Sequence, residues 1–303
     1  LASVLHDAAA LHKAAHRARQ DLQTAATWPR SVTHVPTAAG AVLIGTPGPD
    51  TFQRDAWLII DPGGDDTYRA PAGVANGLHN RPVALVLDLG GDDRYLSDAL
   101  LAPGSALAGI ALVLDMEGDD LHAAAYLGSA SATFGAALLD DHAGQDVYRA
   151  HGFAQGAGFC GVGILQDRAG RDLYDVGFSG QGYAGVLGVG LLLDDAGNDR
   201  YVAGGRRPDF DRNDSRFLSL AQGFAIGMRP FAGGGVAALI DRAGNDSYEA
   251  DVYGQGVSYW YSIGLLIDTQ GHDSYRIHQY GQGSGIHLSL GLLADGDGHD
   301  VYT

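Results

Sequence analysis

Along most of the chain the apolar residues come in short runs that end in an acid. Residues 191–193, 239–240 and 264–267 each lead into an aspartate, at Asp194, Asp241 and Asp268, and each run is bounded by Gly or Asp. Runs this short, with no 3.6-residue periodicity between them, predict β-strands rather than helices. The full signature is apolar-Asp-x-x-Gly-x-Asp-x-Tyr, with its glycine at Gly64, Gly91, Gly118, Gly144, Gly170, Gly197, Gly244, Gly271 and Gly298. Successive glycines are 27, 27, 26, 26, 27, 47, 27 and 27 residues apart. The leading acid recurs as Asp61, Asp88, Asp115, Asp141, Asp167, Asp194, Asp241, Asp268 and Asp295. The second recurs as Asp66, Asp93, Asp120, Asp146, Asp172, Asp199, Asp246, Asp273 and Asp300, followed two places on by Tyr in every copy but one, which has His122. A worn copy precedes these, Gly45-Thr-Pro-Gly48-Pro-Asp50-Thr-Phe52, without the leading Asp.

A unit of about 27 residues without a helix cannot bury an apolar face alone, so the units must stack, each strand pairing with its equivalent in the next coil. The expected fold is all-β, a parallel β-solenoid (β-helix or β-roll) of nine to ten coils of 26–27 residues. Residues 1–28 differ: they are Ala-rich, with Leu1, Leu5, Leu11 and Ala15 compatible with one apolar stripe. They predict an amphipathic helix capping the first coil, where it would cover an open strand edge. The solenoid then occupies 29–303, with inserted loops at about 203–220 and 228–234.

Composition narrows the partners. The chain has 46 Gly, 18% charged residues and a formal charge of −17, which disfavours nucleic acid or an anionic membrane surface and favours cations. One cysteine excludes an internal disulfide framework and multi-Cys metal sites. No apolar run approaches the ~20 residues of a membrane-spanning helix.

Stacking would bring equivalent aspartates about 4.8 Å apart. Two like charges at that distance repel by about 0.9 kcal/mol in water and several-fold more inside a protein. A divalent cation between coils reverses the sign, and calcium, which takes six to eight oxygens in loose geometry, suits carboxylates and turn carbonyls from two adjacent loops. All eighteen repeat aspartates are therefore candidate metal ligands, with the glycine expected to supply positive φ in a tight loop. In the competing metal-free reading these Asp cap turns by bonding neighbouring backbone N–H groups. The residue before the second Asp drifts from Asp65, Asp92 and Asp119 to Gln145, Arg171, Asn198, Asn245, His272 and His299, so early coils are expected to bind more tightly.

The turns Ala-Gly-Asn-Asp-x-Tyr at 196–201 and 243–248 resemble the haemolysin-type (RTX) calcium-binding nonapeptide in their Gly-x-Asp-x-apolar part. That resemblance implies a right-handed β-roll with calcium between stacked turns. It covers one short turn per coil, and the period is 26–27 rather than tandem nines.

The Tyr column and the Gln column (Gln155, Gln181, Gln222, Gln255, Gln282) are expected to be structural, as aromatic stacks and amide ladders that satisfy buried backbone groups at corners. A ligand site should break the repeat. Tyr to Gln is seven residues in four copies but 21 from Tyr201 to Gln222, and that insertion carries Arg206, Arg207, Asp209, Asp211, Arg212, Asp214 and Arg216. With Arg229 from the second loop, and His151, Asp175, Asp251, Tyr253, His278 and Tyr280 from neighbouring coils, it is a candidate groove for an extended polysaccharide or cell-surface component. Tyr259, Trp260 and Tyr261 lie nearby in sequence.

No standard catalytic motif is present, and Gly156-Ala-Gly158-Phe-Cys-Gly161 falls in a repeat corner and opens no helix. The expected function is a calcium-binding extracellular or periplasmic module, with two alternatives. One is a polysaccharide lyase or glycoside hydrolase using residues 203–235, and the other is an assembly subunit that self-associates through the C-terminal coil.

Overall fold

The structure is a computed structural model that describes residues 2–22, 24, 27–211 and 215–303. Leu1 of the expected helical stripe and Arg212 and Asp214 of the expected polar insertion lie outside the described residues. The protein is an all-β parallel solenoid with one N-terminal α-helix. Each full coil contributes a strand to each of three parallel sheets. In one coil these are Val83–Asp88 in sheet A, Arg94–Ser97 in sheet B and Ser105–Leu107 in sheet C.

Register is conserved from coil to coil. Asp115 pairs with Asp141, then Asp167, Asp194, Asp241, Asp268 and Asp295. The pairing of Asp194 with Asp241 shows that the 47-residue unit keeps its place in the stack and extrudes its extra residues.

Alternation along each sheet A strand decides what is inside. Three positions two residues apart face the interior: a small residue, a large aliphatic one and the leading aspartate, as in Ala84, Val86 and Asp88. The aliphatic positions, including Ile59, Val86, Val113, Leu139, Leu165, Leu192, Leu239 and Leu266, form one cluster with the aromatic column of sheet B. Where sheets A and C converge there is room only for Ala or Gly. A Cβ at Gly163 would lie 2.3 Å from the carbonyl oxygens of Ala130 and Ala157. Much of the glycine content comes from this narrow corner.

The tyrosines stack as expected. Ring centroids of Tyr148, Tyr174, Tyr201, Tyr248 and Tyr275 are 4.8–4.9 Å apart, within 3° of parallel, and His122 takes its place at 4.5 Å from Tyr95 and 4.8 Å from Tyr148. Burial pushes His122 down to about 3, so it stacks as a neutral ring. The buried glutamines do not pair amide to amide. Gln155 Nε2 donates to the Tyr148 carbonyl of its own coil at 2.8 Å and to the Asp175 carbonyl of the next at 3.2 Å, and Gln181, Gln222 and Gln255 repeat the pattern.

The helix, Ala2–Leu22, does not cover the first coil's edge. That edge is occupied by Thr33–Thr37, which pairs antiparallel with Gly40–Ile44. The helix lies instead on the outer face of sheet A, where Ala15, Leu11 and Leu22 pack on Leu85, Leu87, Leu112 and Leu114. These outward-facing leucines form an apolar patch that an apolar helical stripe can bury, which explains the position.

The tyrosine hydroxyls tie the core to the acidic turns. Tyr174 Oη lies 2.8 Å from Asp194 Oδ2 of the following coil and 3.1 Å from Asp167 Oδ2 of its own. Tyr174→Phe removes this donor from buried carboxylates, and urea denaturation should show a loss of about 1–3 kcal/mol. A loss within measurement error would mean that the hydroxyl column carries no stability.

Candidate metal centre

Each Asp-x-x-Gly-x-Asp turn joins a sheet A strand to a sheet B strand, and stacking assembles the turns into one corner of the solenoid. From Asp61 to Asp273 both aspartates of every turn are at most 2% exposed. Along the leading column Oδ2 receives a tyrosine hydroxyl: Tyr95 to Asp115 at 2.6 Å, Tyr148 to Asp167 at 2.8 Å, Tyr201 to Asp241 at 2.7 Å and Tyr248 to Asp268 at 2.7 Å, with Tyr68 bonded likewise to Asp88. Oδ1 of Asp61, Asp88, Asp194 and Asp241 accepts an N–H of its own turn at 2.8–3.2 Å.

The second aspartates form a separate ladder. Oδ1 accepts the backbone N–H of the second aspartate one coil earlier, as in Asp120 to Asp146 at 2.7 Å, Asp146 to Asp172 at 2.6 Å, Asp172 to Asp199 at 2.7 Å and Asp199 to Asp246 at 2.6 Å. One oxygen of each carboxylate thus caps backbone, as the metal-free reading expects. The other does not. Oδ2 of Asp66, Asp93, Asp120, Asp146, Asp172, Asp199, Asp246 and Asp273 is buried with no hydrogen-bond partner, and so are Asp61 Oδ2 and Oδ1 of Asp115, Asp141, Asp167 and Asp268.

The carboxylates of successive coils converge. Carboxylate oxygens of Asp66, Asp88 and Asp93 lie within 4.8 Å of one another, as do those of Asp93, Asp115 and Asp120, and of Asp50, Asp61 and Asp66. Asp66, Asp93 and Asp120 are each shared by two groups, so these clusters form a file. In one group, Asp120 and Asp141 are joined by His122. Burial, the largest cause throughout, pushes Asp66, Asp167 and Asp268 up to about 6, Asp93, Asp199 and Asp241 to about 7, and Asp61, Asp172 and Asp246 to about 9.

The turn glycine serves space more than positive φ. Gly64, Gly91, Gly118 and Gly298 do have φ of +131° to +146°, but Gly144, Gly170, Gly197, Gly244 and Gly271 are not in that region. A Cβ at Gly170 would lie 2.2 Å from the Gly144 carbonyl and 2.4 Å from both Asp172 carboxylate oxygens. The absent side chain therefore leaves the volume bordered by the second carboxylate and the preceding coil's carbonyl. Hard oxygen donors around this cradle fit a hard divalent cation, and two carboxylates per coil balance one such ion. Outside this file Asp65, Asp92 and Asp119 form an exposed ladder, with the Asp119 N–H 3.0 Å from Asp92 Oδ1, adding charge at the mouth of the early coils.

The groove residues are only partly brought together. Arg206 and His151 line a depression on the outer face of sheet B with Asp175 and Arg149, while Asp251 and His278 line a second with Arg216, Glu249 and Arg276; Gly204 borders both. Their charges are largely paired within the chain: Arg149 with Asp175 at 3.1 Å, Arg216 with Asp251 at 3.5 Å and Arg276 with Glu249 at 2.7 Å. Arg207 stands over Phe178, and Tyr253 stacks on Tyr280 at 4.8 Å. Arg229 belongs elsewhere: its loop follows the sheet C strand Phe224–Ile226, and its guanidinium lies 5.2 Å from the Trp260 ring and 3.3 Å from His287 Nε2. The two inserted loops thus leave opposite ends of the sheet C passage and do not wall one groove.

Comparisons with protein-family models, curated proteins and solved structures give no match.

The raised carboxyl values carry a sign. A carboxyl whose folded value lies above its unfolded one stabilises the fold fully below the unfolded value, near 4, and loses that contribution as pH rises through the folded value. With chelator present, the melting temperature should fall as pH rises from about 4 through 6, 7 and 9. Saturating calcium, replacing protons with an ion, should remove most of that fall. A chelated protein equally stable at pH 5 and pH 9 would contradict the assignment.

Proposed function

We infer that this protein is a calcium-loaded β-solenoid of extracellular or periplasmic surroundings, a rigid module whose stability depends on a file of cations between its coils. One observation carries the reading: a buried, partnerless carboxylate oxygen recurs in the second aspartate of eight successive turns, Asp66 to Asp273. A structural role for aspartate as turn cap uses one oxygen and leaves the other at an unfavourable burial cost. Calcium would be held by the second aspartate of one coil and both aspartates of the next, and it would supply positive charge and ligand-field-free oxygen coordination. Millimolar calcium outside cells keeps modest sites filled, and an ion bound only by the folded chain adds stability by mass action. This is the sense in which the turns are like those of the haemolysin-type repeat.

A second reading, an acidic-polysaccharide surface, rests on the insertion. It brings Arg206 and Arg216 to either side of Gly204 on the outer face of sheet B. Replacing residues 205–219 by Gly-Ser should abolish retention on an immobilised uronic-acid polymer, and unchanged retention would end that reading.

Asp146→Asn separates ligand from turn cap. The amide keeps the Oδ1 acceptor that serves the Asp120 N–H but removes one negative charge and one ligand oxygen. Calcium content should fall by about one ion per chain, with the calcium-loaded form losing ~1–3 kcal/mol. In chelator at pH 8 the same variant should be more stable than the parent, because a like charge is gone. Equal destabilisation in both conditions would leave the aspartate as a turn cap only.

A further inference from the structure

The geometry points to a second, chemically different metal site, which binds one zinc-type transition cation through His12, His16 and Asp140 and fastens the N-terminal helix to sheet A. It uses none of the repeat aspartates.

His12 and His16 are one turn apart on the helix, so both project from the same face. Their Nε2 atoms are 2.9 Å apart, and they lie 3.0 and 3.1 Å from a single oxygen, Asp140 Oδ2, on a carboxylate only 1% exposed. Hydrogen bonds do not satisfy this triangle. Each Nε2 offers one in-plane direction, either an N–H or a lone pair, so two nitrogens cannot serve three edges. With one ring donating, the other points its lone pair at a carboxylate or at another nitrogen. With both rings neutral and carrying the Nε2 proton, each donates to Asp140 Oδ2, but the two N–H groups then crowd each other with their nitrogens 2.9 Å apart. A cation seated off the plane of the triangle would meet all three atoms at once.

The separations also fit. Ligands held at about 2.0–2.1 Å from zinc, at angles between octahedral and tetrahedral, are about 2.9–3.4 Å from one another. Two imidazoles and a carboxylate favour a zinc-class ion over calcium, which takes oxygen. A fourth donor is at hand: His142 Nε2 is buried without a hydrogen-bond partner, 3.7 Å from Asp140 Oδ1, and its ring centroid is 5.7 Å from that of His16. Arg168 holds the carboxylate from the other side, with Nε 2.8 Å from Oδ1 and Nη2 3.1 Å from Oδ2, as ligating carboxylates are usually held by an outer partner. Its charge opposes the cation, but Arg168 also faces Asp195 at 4.0 Å.

Asp140 faces outward beside the inward leading aspartate Asp141, and no other repeat carries a histidine pair opposite that position. The site is therefore specific to the coil beneath the helix. The helix packs on sheet A mainly through Ala15, Leu11 and Leu22, a small contact for 21 residues, and a bound ion would supply a cross-link between elements more than 120 positions apart in sequence.

The test uses the full-length, calcium-saturated protein, so that its outcome does not depend on the acidic file. Titration with zinc chloride against a chromogenic chelator should show one site per chain. His12→Asn with His16→Asn should weaken that site by at least ~100-fold, since even outer partners of metal ligands are worth about 10–100-fold. Zinc should also slow amide exchange in Ala2–Leu22 in the parent and not in the variant. Cobalt(II) chloride in the parent should give the intense visible bands of a four-coordinate, nitrogen-bound ion, a readout that needs no variant to fold. Absence of a zinc site, zinc binding unchanged in the double variant, or only the weak spectrum of an all-oxygen cobalt site would overturn the assignment.

Discussion

Two carboxylates are buried in each coil from Asp61 to Asp273, and parallel pairing in constant register leaves them no way to avoid their equivalents above and below. The strand spacing of about 4.8 Å is fixed by backbone hydrogen bonds and cannot widen to relieve charge. The corner must therefore be neutralised by something other than distance. Its architecture is organised around that demand. Tyrosine hydroxyls donate to the leading column, backbone N–H groups donate to the second, and glycine leaves an opening where any side chain would strike a carbonyl. What these donors do not supply is a partner for Oδ2 of the second aspartate in each turn from Asp66 to Asp273. Protons and divalent cations are the two candidates, and they compete for the same atoms.

Much of this was legible in the chain because a solenoid turns sequence period directly into spatial column. The Asp, Gly and Tyr positions, the strand nature of the short apolar runs and the looping out of the 47-residue unit all follow from spacing, and register pairing of Asp194 with Asp241 bears them out. Direction was harder to read. Spacing does not say that Asp88 points inward beside Val86, nor that Tyr174 reaches forward to the next coil's aspartate. The glycine was read as a φ requirement, which holds at Gly64 but not at Gly170, where crowding by the Gly144 carbonyl is the reason.

The elements outside the repeat were read least well, because nothing periodic constrains them. The helix stripe was visible, but its target depended on the outward leucines of sheet A, which alternation alone assigns to solvent. His12 and His16, four apart on one helix face, were a signal that could have been noticed, whereas their partner Asp140 is one of many acids until the helix is docked. Arg206 and Arg229 look adjacent when counted in repeats, but one loop follows sheet B and the other follows sheet C. The first insertion borders the depressions on the outer face of sheet B.

The most direct test of the central claim is anomalous diffraction from crystals grown in calcium and soaked in a lanthanide that replaces it. The account predicts a line of peaks along the acidic corner, separated by about one strand spacing, each between the second aspartate of one coil and the pair of the next. An empty corner at full lanthanide saturation, with the carboxylates bonded to one another through protons, would contradict it.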